Sequence, residues 1–511
     1  MLQSRSRRKT TTIEAIALHE AVSPDKWCVT YADLRYLRQQ VISAIQQGLI
    51  LSSPSSYGDD ESKKSEDDDE FGPSIYVVNE QYIKPITAQA GKMSWALMMN
   101  PDGLDCHLFV SHAWQEGIFE FLSKVLGSWP SRAKHAWCCM LANPQNLNVG
   151  SMLQSPKTSP FALALQASRY VLVVPNRHQS VYCRLWCGYE AYVASEKAKI
   201  IQIATPPKIR RMMISWVMAL VPISLGFLLG FFGALWKWDA RAGVIVISLC
   251  ILTSANTTRT CCQLSNYTGL IFSCCMAICW VSFPKASLHF LDFTPHTTKI
   301  YQAILWTCCI AFFLIAEMDR IRSDEIAKEG QQLRKHYEGT IRMAGCSQPS
   351  DMQNIWEEIG DKVHKVDTAI NVLISAGLSS PSLRLAAESG VNIKGAGHAE
   401  VAIPFVFLGP QLVVGFSQVV ILIMNGAHHS NWASVILEGI AVVARLVFMW
   451  LLCRRPADEI CFMLKVLTKL VGAVFFPTVL TVGVLVGLHY ETAAKTMSIA
   501  TFMCFWPADN W

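Results

Sequence analysis

Charge is what this sequence has least of. Only 16% of its 511 residues are Asp, Glu, Lys or Arg, against about a quarter in ordinary soluble chains, while 51% are hydrophobic. The net charge of +5 is small for this length, so there is no electrostatic case for a nucleic-acid partner. The 18 cysteines contain no CxxC spacing, which removes zinc-ribbon and thioredoxin-type readings. They fall as adjacent pairs, such as Cys138-Cys139 and Cys274-Cys275, or singly inside apolar runs. Free buried thiols, in a reducing compartment or in lipid, fit that pattern. The opening MLQSRSRRKTTT has no apolar stretch of a secretory signal; it reads as a disordered basic tail, with a mitochondrial presequence as the rival.

What charge there is lies unevenly. Residues 1–52 read as a tail followed by an amphipathic helix over 30–50. In that helix Thr30 and Asp33 form a capping box, and Leu34, Leu37, Val41, Ile42 and Ile45 share one face. Residues 53–73, SPSSYGDDESKKSEDDDEFGP, hold almost nothing apolar and read as an acidic disordered linker. Residues 74–207 alternate strand and helix. Lipid-like runs occupy 208–316 and 401–488, around a charged, helix-forming loop at 317–400, and a tail closes the chain at 489–511.

The run 212–236, MMISWVMALVPISLGFLLGFFGALW, is uncharged and longer than the roughly 20 residues that cross a bilayer. Further spans are expected at 242–258, 267–283, 300–316, 401–424, 432–452 and 466–488. Basic clusters before the first span, after the fourth and after the sixth agree with seven spans and a cytosolic N-terminal domain. The sequons at Asn256 and Asn266 then face the cytosol and stay unglycosylated. In the loop, DRIRSDEIAKEGQQLRKHYEGTIRM and MQNIWEEIGDKVHKVDTAINVLISAGL each read as a helix. Ile355, Ile359, Val363, Val366 and Ile370 form a stripe that packs on a neighbour or meets a regulator.

Within 104–205 the pieces are CHLFVS, EGIFEFLSKVLGSW, AWCCMLA, SPFALALQA, RYVLVV, RLWCGYEAYVASEKA and KIIQIA. Apolar strands alternating with helices imply a parallel sheet covered on both faces. No fifth strand follows the fourth, unless SIYVVN (74–79) or another N-terminal piece completes the sheet.

In order, CHLFVSHAW, SPFALALQASRYVLVV and SVYCRLWCGYE resemble the conserved boxes of TIR domains, the Toll/interleukin-1 receptor and plant resistance protein type. Trp-Cys-x-x-Glu at the start of the third helix is the most specific of these. The resemblance covers about a hundred residues. It implies a flavodoxin-like α/β fold, self-association and, in enzymatic members, cleavage of the nicotinamide–ribose bond of NAD by the glutamate of that motif, here Glu190. The chain then needs no cofactor, and NAD is a substrate. Many members only assemble, so the fold leaves enzyme and assembly module both open.

A carboxylate suits the chemistry. Breaking an N-glycosidic bond builds an oxocarbenium-like cation on the ribose, and a fixed anion beside it stabilises that charge. Nicotinamide leaves without a general acid. Trp186 and Glu190 are four apart, on one helix face. Ser111, His112 and Trp114 stand at the carboxyl end of the first strand, where open α/β sheets bind ligands. Trp114 is placed to stack on a base, and His112 and Arg184 to meet phosphate. Set against this, each has a plainer role: Glu190 on a solvated face, Trp186 and Cys187 in the core, His112 as a strand-end hydrogen-bonder, Arg184 at the surface.

Glu438 and Arg445 lie seven apart in the sixth expected span, with Lys469 near the start of the seventh. Intramembrane charges line a path or pair internally; a Glu438–Arg445 pair fixing helix packing is the simpler reading. His428 and His429 in NGAHHSN read as a solvated turn, and no metal site is expected. A multi-pass signalling protein with a lipid bilayer as partner follows, with a channel or transporter regulated by an α/β domain as the alternative.

Overall fold

A computed structural model of the chain describes residues 11–51, 71–148, 150, 155–207, 209–236, 243, 246–247, 249–251, 259–282, 295–346, 348–391, 393, 402, 440 and 443. Its contacts divide it into two units, Met1–Pro207 with Glu325–His398, and Lys208–Asp324 with Ala399–Trp511.

The first unit opens with α1 (Thr12–Ala21), started by a capping box between Thr11 and Glu14. After β1 (Val29–Thr30), the capping box expected at Thr30 and Asp33 starts α2 (Tyr31–Gln46). Leu34, Leu37 and Val41 are buried as expected, but Ile42 is exposed and Ala44 takes its place on the inner face. SIYVVN is not a strand: Ser74 caps α3 (Ile75–Val78) there.

Next come β2 (Leu108–Ser111), α4 (Ile118–Gly127), β3 (His135–Cys138), α5 (Pro160–Ala167), β4 (Tyr170–Val173), α6 (Leu185–Glu196) and β5 (Ile200–Ile203). Ser159 caps α5 with Pro160 at its first turn, as expected of that pair. The strands are short apolar runs buried on both faces, which is what a sheet covered twice requires. β2 is parallel to β3 and β4, and β4 to β5, with Phe109 opposite Trp137 and Val171. Phe109 stacks on Trp137 at 5.2 Å, an aromatic pair that adds to the apolar burial at the sheet centre.

The second unit contributes α7 (Ile209–Trp236) and α8 (Arg259–Ser282). Among the described residues two helices, Met212–Phe232 and Cys261–Cys279, are long and apolar enough to cross a membrane. The first matches the first expected span; the second begins six residues before the expected 267. Trp216, Val217, Leu220, Val221 and Phe231 on α7 are exposed, an apolar face larger than water normally touches. Gly226 and Gly230 let α8 approach closely. A Cβ on Gly226 would lie 2.4 Å from the Ile271 carbonyl oxygen, and one on Gly230 2.7 Å from that of Cys275. Small residues four apart serve this contact.

α9 (Pro295–Arg334) is a single helix of 40 residues. The fourth expected span and the first expected loop helix are therefore one element, and its residues from 325 belong to the first unit. The second loop helix is broken at Gly360, whose φ of 56° ends α10 (Pro349–Ile359) before α11 (Val363–Ala376) begins. Ile355, Ile359, Val363, Val366 and Ile370 are all buried, and α10 and α11 both pack on α6. That stripe is core.

β6 (Leu378–Ser379) precedes α12 (Pro381–Glu388). It pairs antiparallel with β5, and β1 pairs antiparallel with β3, giving the order β1-β3-β2-β4-β5-β6. The expected all-parallel sheet is thus mixed: an N-terminal piece other than SIYVVN does join it, as β1 beside β3, while the strand beside β5 comes from after α9. Two-residue edge strands blunt the open hydrogen-bonding rims of such a sheet. The expected linker at 53–70, the spans from 403 onwards apart from residues 440 and 443, most of 242–258, and Asn256, His428 and His429 lie outside the described residues.

Candidate functional site

Ser111 ends β2 and His112 follows it. Side chains of neighbouring strand residues point to opposite sides, and each here finds its own acid. The Ser111 hydroxyl donates to Glu190 Oε2 at 2.5 Å, while His112 Nδ1 lies 3.2 Å from Glu116 Oε1.

Glu190 is on α6. This helix is apolar on nearly every face, so it is a core element: Leu185, Cys187, Tyr189, Ala191 and Ala194 are buried with it. Gly188 faces Ile341, which leaves 3.3 Å for a Cβ. Glu190 is only 7% exposed, so the solvated-face role does not hold. Burial pushes its carboxyl up to about 7, against the Ser111 hydrogen bond and the Arg184 guanidinium, which both favour the anion. At neutral pH this group is near half ionised.

Arg184 is half-buried and is not a surface decoration. Burial opposes its charge, but Cys187, Tyr76, Cys139 and Glu190 hold its pKa raised. Trp114 donates its indole N–H to Cys139 Sγ at 3.3 Å and meets the ring of Tyr76 at 5.4 Å. Tyr76 is 48% exposed, so the aromatic pair stands at the rim. Tyr76 was not among the residues singled out in the sequence; it reaches the rim because Ile75 N–H donates to Glu116 O and Ile118 N–H to Pro73 O.

Trp186 turns away from this rim. Its indole N–H donates to Asp351 Oδ2 at 3.2 Å, and its ring stacks on Phe161. His112 is enclosed, with Nε2 at 3.2 Å from Cys139 Sγ, and burial with the nearby Arg184 lowers its pKa to about 3. A neutral, enclosed imidazole holds the strand end in place and offers a phosphate nothing. Burial likewise raises the Cys187 and Cys139 thiols, the latter to about 12, which leaves them unreactive.

The structure therefore brings Ser111, Arg184, Trp114 and Glu190 together, and assigns Trp186 and His112 to packing. Glu438, Arg445 and Lys469 lie outside the described residues. A second buried cluster escaped the sequence reading. Lys124 Nζ meets Glu120 Oε1 at 2.9 Å, Glu329 Oε2 at 2.7 Å, Pro175 O at 2.8 Å and Gln332 Oε1 at 3.2 Å. Glu120 and Lys124 are four apart on α4 and so share a helical face, with Glu116 just before the helix, but nothing in the sequence joins them to Glu329. Burial raises the Glu116 carboxyl well above the usual range, against the attraction of Lys124. No group of three or more His, Cys, Asp or Glu among the described residues could hold a metal.

Compared with family models, curated proteins and solved structures, the chain matches none.

Proposed function

We propose that the chain is a multi-pass, membrane-anchored signalling protein whose first unit is a cytosolic TIR-like domain, which cleaves the nicotinamide–ribose bond of NAD with Glu190 and associates with copies of itself. The observation that carries the reading is the Glu190 carboxyl held on Ser111 at the carboxyl end of β2. In the order β3-β2-β4-β5 the parallel strands run 2-1-3-4, the start of the flavodoxin-like order, which binds ligands beside its first strand. Ionised Glu190 faces the cation that grows on the ribose as nicotinamide leaves; Arg184 and the Tyr76–Trp114 pair lie beside it to meet phosphate and ring. The exposed apolar face of α7 supports the bilayer anchor.

The test is nicotinamide release from NAD by the purified full-length protein. Turnover should rise with pH through about 7 as Glu190 loses its proton, and Glu190→Gln should lower it by about 100-fold or more. Turnover unchanged in that variant rejects the role of Glu190.

A channel or transporter is the second reading, favoured by a buried polar network in the second unit. Asn266 Nδ2 donates to Glu317 Oε2 at 3.2 Å, and Arg320 donates to both Glu317 oxygens at 2.6 and 2.9 Å. Conductance or uptake lost on Glu317→Gln, in protein still inserted, would favour this reading.

A further inference from the structure

The two sides of the β2 end are not equivalent. On the side of Glu190 a half-exposed aromatic pair forms a rim. On the side of Glu116, the end of α9 packs on Lys124 of α4 and on the loop after β4, beside the crevice between the β2 and β4 loops. In open α/β sheets this crevice, where the strand order reverses, is where ligands enter.

The packing is specific. Glu329 and Gln332 reach Lys124, which also holds Pro175 O in the loop after β4. Lys335 Nζ donates to Arg177 O at 3.0 Å, Ser180 N–H donates to Lys335 O at 2.9 Å, and Cys183 Sγ donates to His336 O. Leu333, Tyr337 and Ile341 are buried behind them. Glu329 and Glu120 bring two carboxylates to the single buried ammonium of Lys124. A cover meant only for packing does better with apolar groups, since a buried ion pair gains little over them. The pair is also positioned to read α9, whose first thirty residues belong to the second unit.

We propose that the end of α9 is a latch: residues 325–337 close the crevice at the switch point, and the Glu329–Lys124 pair holds them there, keeping the α/β unit inactive until the latch lifts. Its consequence for turnover rests on the reading of Glu190 above; its mechanical half does not.

The experiment is hydrogen exchange on full-length protein, wild type and Glu329→Gln, with nicotinamide release measured on the same samples. Amides of 325–346 should exchange about tenfold faster in the variant, the factor one charge-assisted hydrogen bond supplies, and nicotinamide release should rise with them. Lys335→Ala, at an exposed position, should move both in the same direction more weakly and guards against a folding defect in the first variant. Unchanged exchange of 325–346 in both variants overturns the latch. Faster exchange with unchanged turnover, in a wild type that does cleave NAD, overturns its inhibitory role. Faster exchange with no cleavage by any form, wild type included, supports the latch and rejects the glycohydrolase.

Discussion

Glu190 and Glu329 are both buried carboxyl groups of the first unit, and they are held in opposite ways. Glu190 accepts from a hydroxyl and has a guanidinium only at a distance, so burial wins and its pKa climbs to about 7. Glu329 meets a lysine directly, and the attraction of Glu329 and Glu120 holds that lysine charged and raised, against its own burial. The comparison teaches that burial by itself raises a carboxyl toward neutral pH, and that a buried cation is kept charged by the carboxylates it touches. The first arrangement suits chemistry and the second suits a fastening.

The largest effect should come from the cation. Lys124→Met leaves Glu120 and Glu329 buried without it, and should destabilise the first unit by about 3–5 kcal/mol in a denaturant melt. A loss below about 1 kcal/mol would mean that water reaches the cluster and that the contrast with Glu190 is false.

Next is the pH dependence of Glu190. Its folded pKa lies above the usual 4.5, so the folded chain binds the proton more tightly. That stabilisation is complete below pH 4.5 and disappears as pH rises to about 7. Above pH 7 Glu190→Gln should therefore be the more stable form, by up to about 3 kcal/mol, with the gap closing at pH 4. Melting both proteins from pH 4 to 8 measures it; a gap that does not change with pH would remove the raised pKa.

The smallest is at Trp186. Trp186→Phe loses the hydrogen bond to Asp351 but keeps the stack on Phe161, costing about 1 kcal/mol with nicotinamide release unchanged. Turnover falling with stability intact would return Trp186 to the site.

Much of this was legible because it depends on near neighbours. The capping box at Thr30 and Asp33, the cap at Ser159 and Pro160, the four buried strands (though AWCCMLA turns helical from Cys139) and the first long apolar helix are each set by a few adjacent side chains and their period. So was the pairing of Ser111 with Glu190 at one strand end, through the order of strand and helix. The position of the sixth strand was not. Leu378 and Ser379 carry no strand signal over two residues, and they join the sheet only because α9 returns the chain to it. Arg184 and His112 show the same limit from the other side, since which of them is enclosed depends on what packs around them.

By itself, then, the sequence determined the alternation of strands and helices, their caps, the apolar runs and the one acid aligned with the first strand, because local periodicity and hydrophobicity decide these. The tertiary structure alone decided that residues after α9 complete the sheet, that Trp186 serves α10, and that Glu329 reaches Lys124. Those depend on contacts between residues as far apart as 124 and 329, and such contacts form only where burial of the whole unit outweighs the entropy of closing the intervening chain.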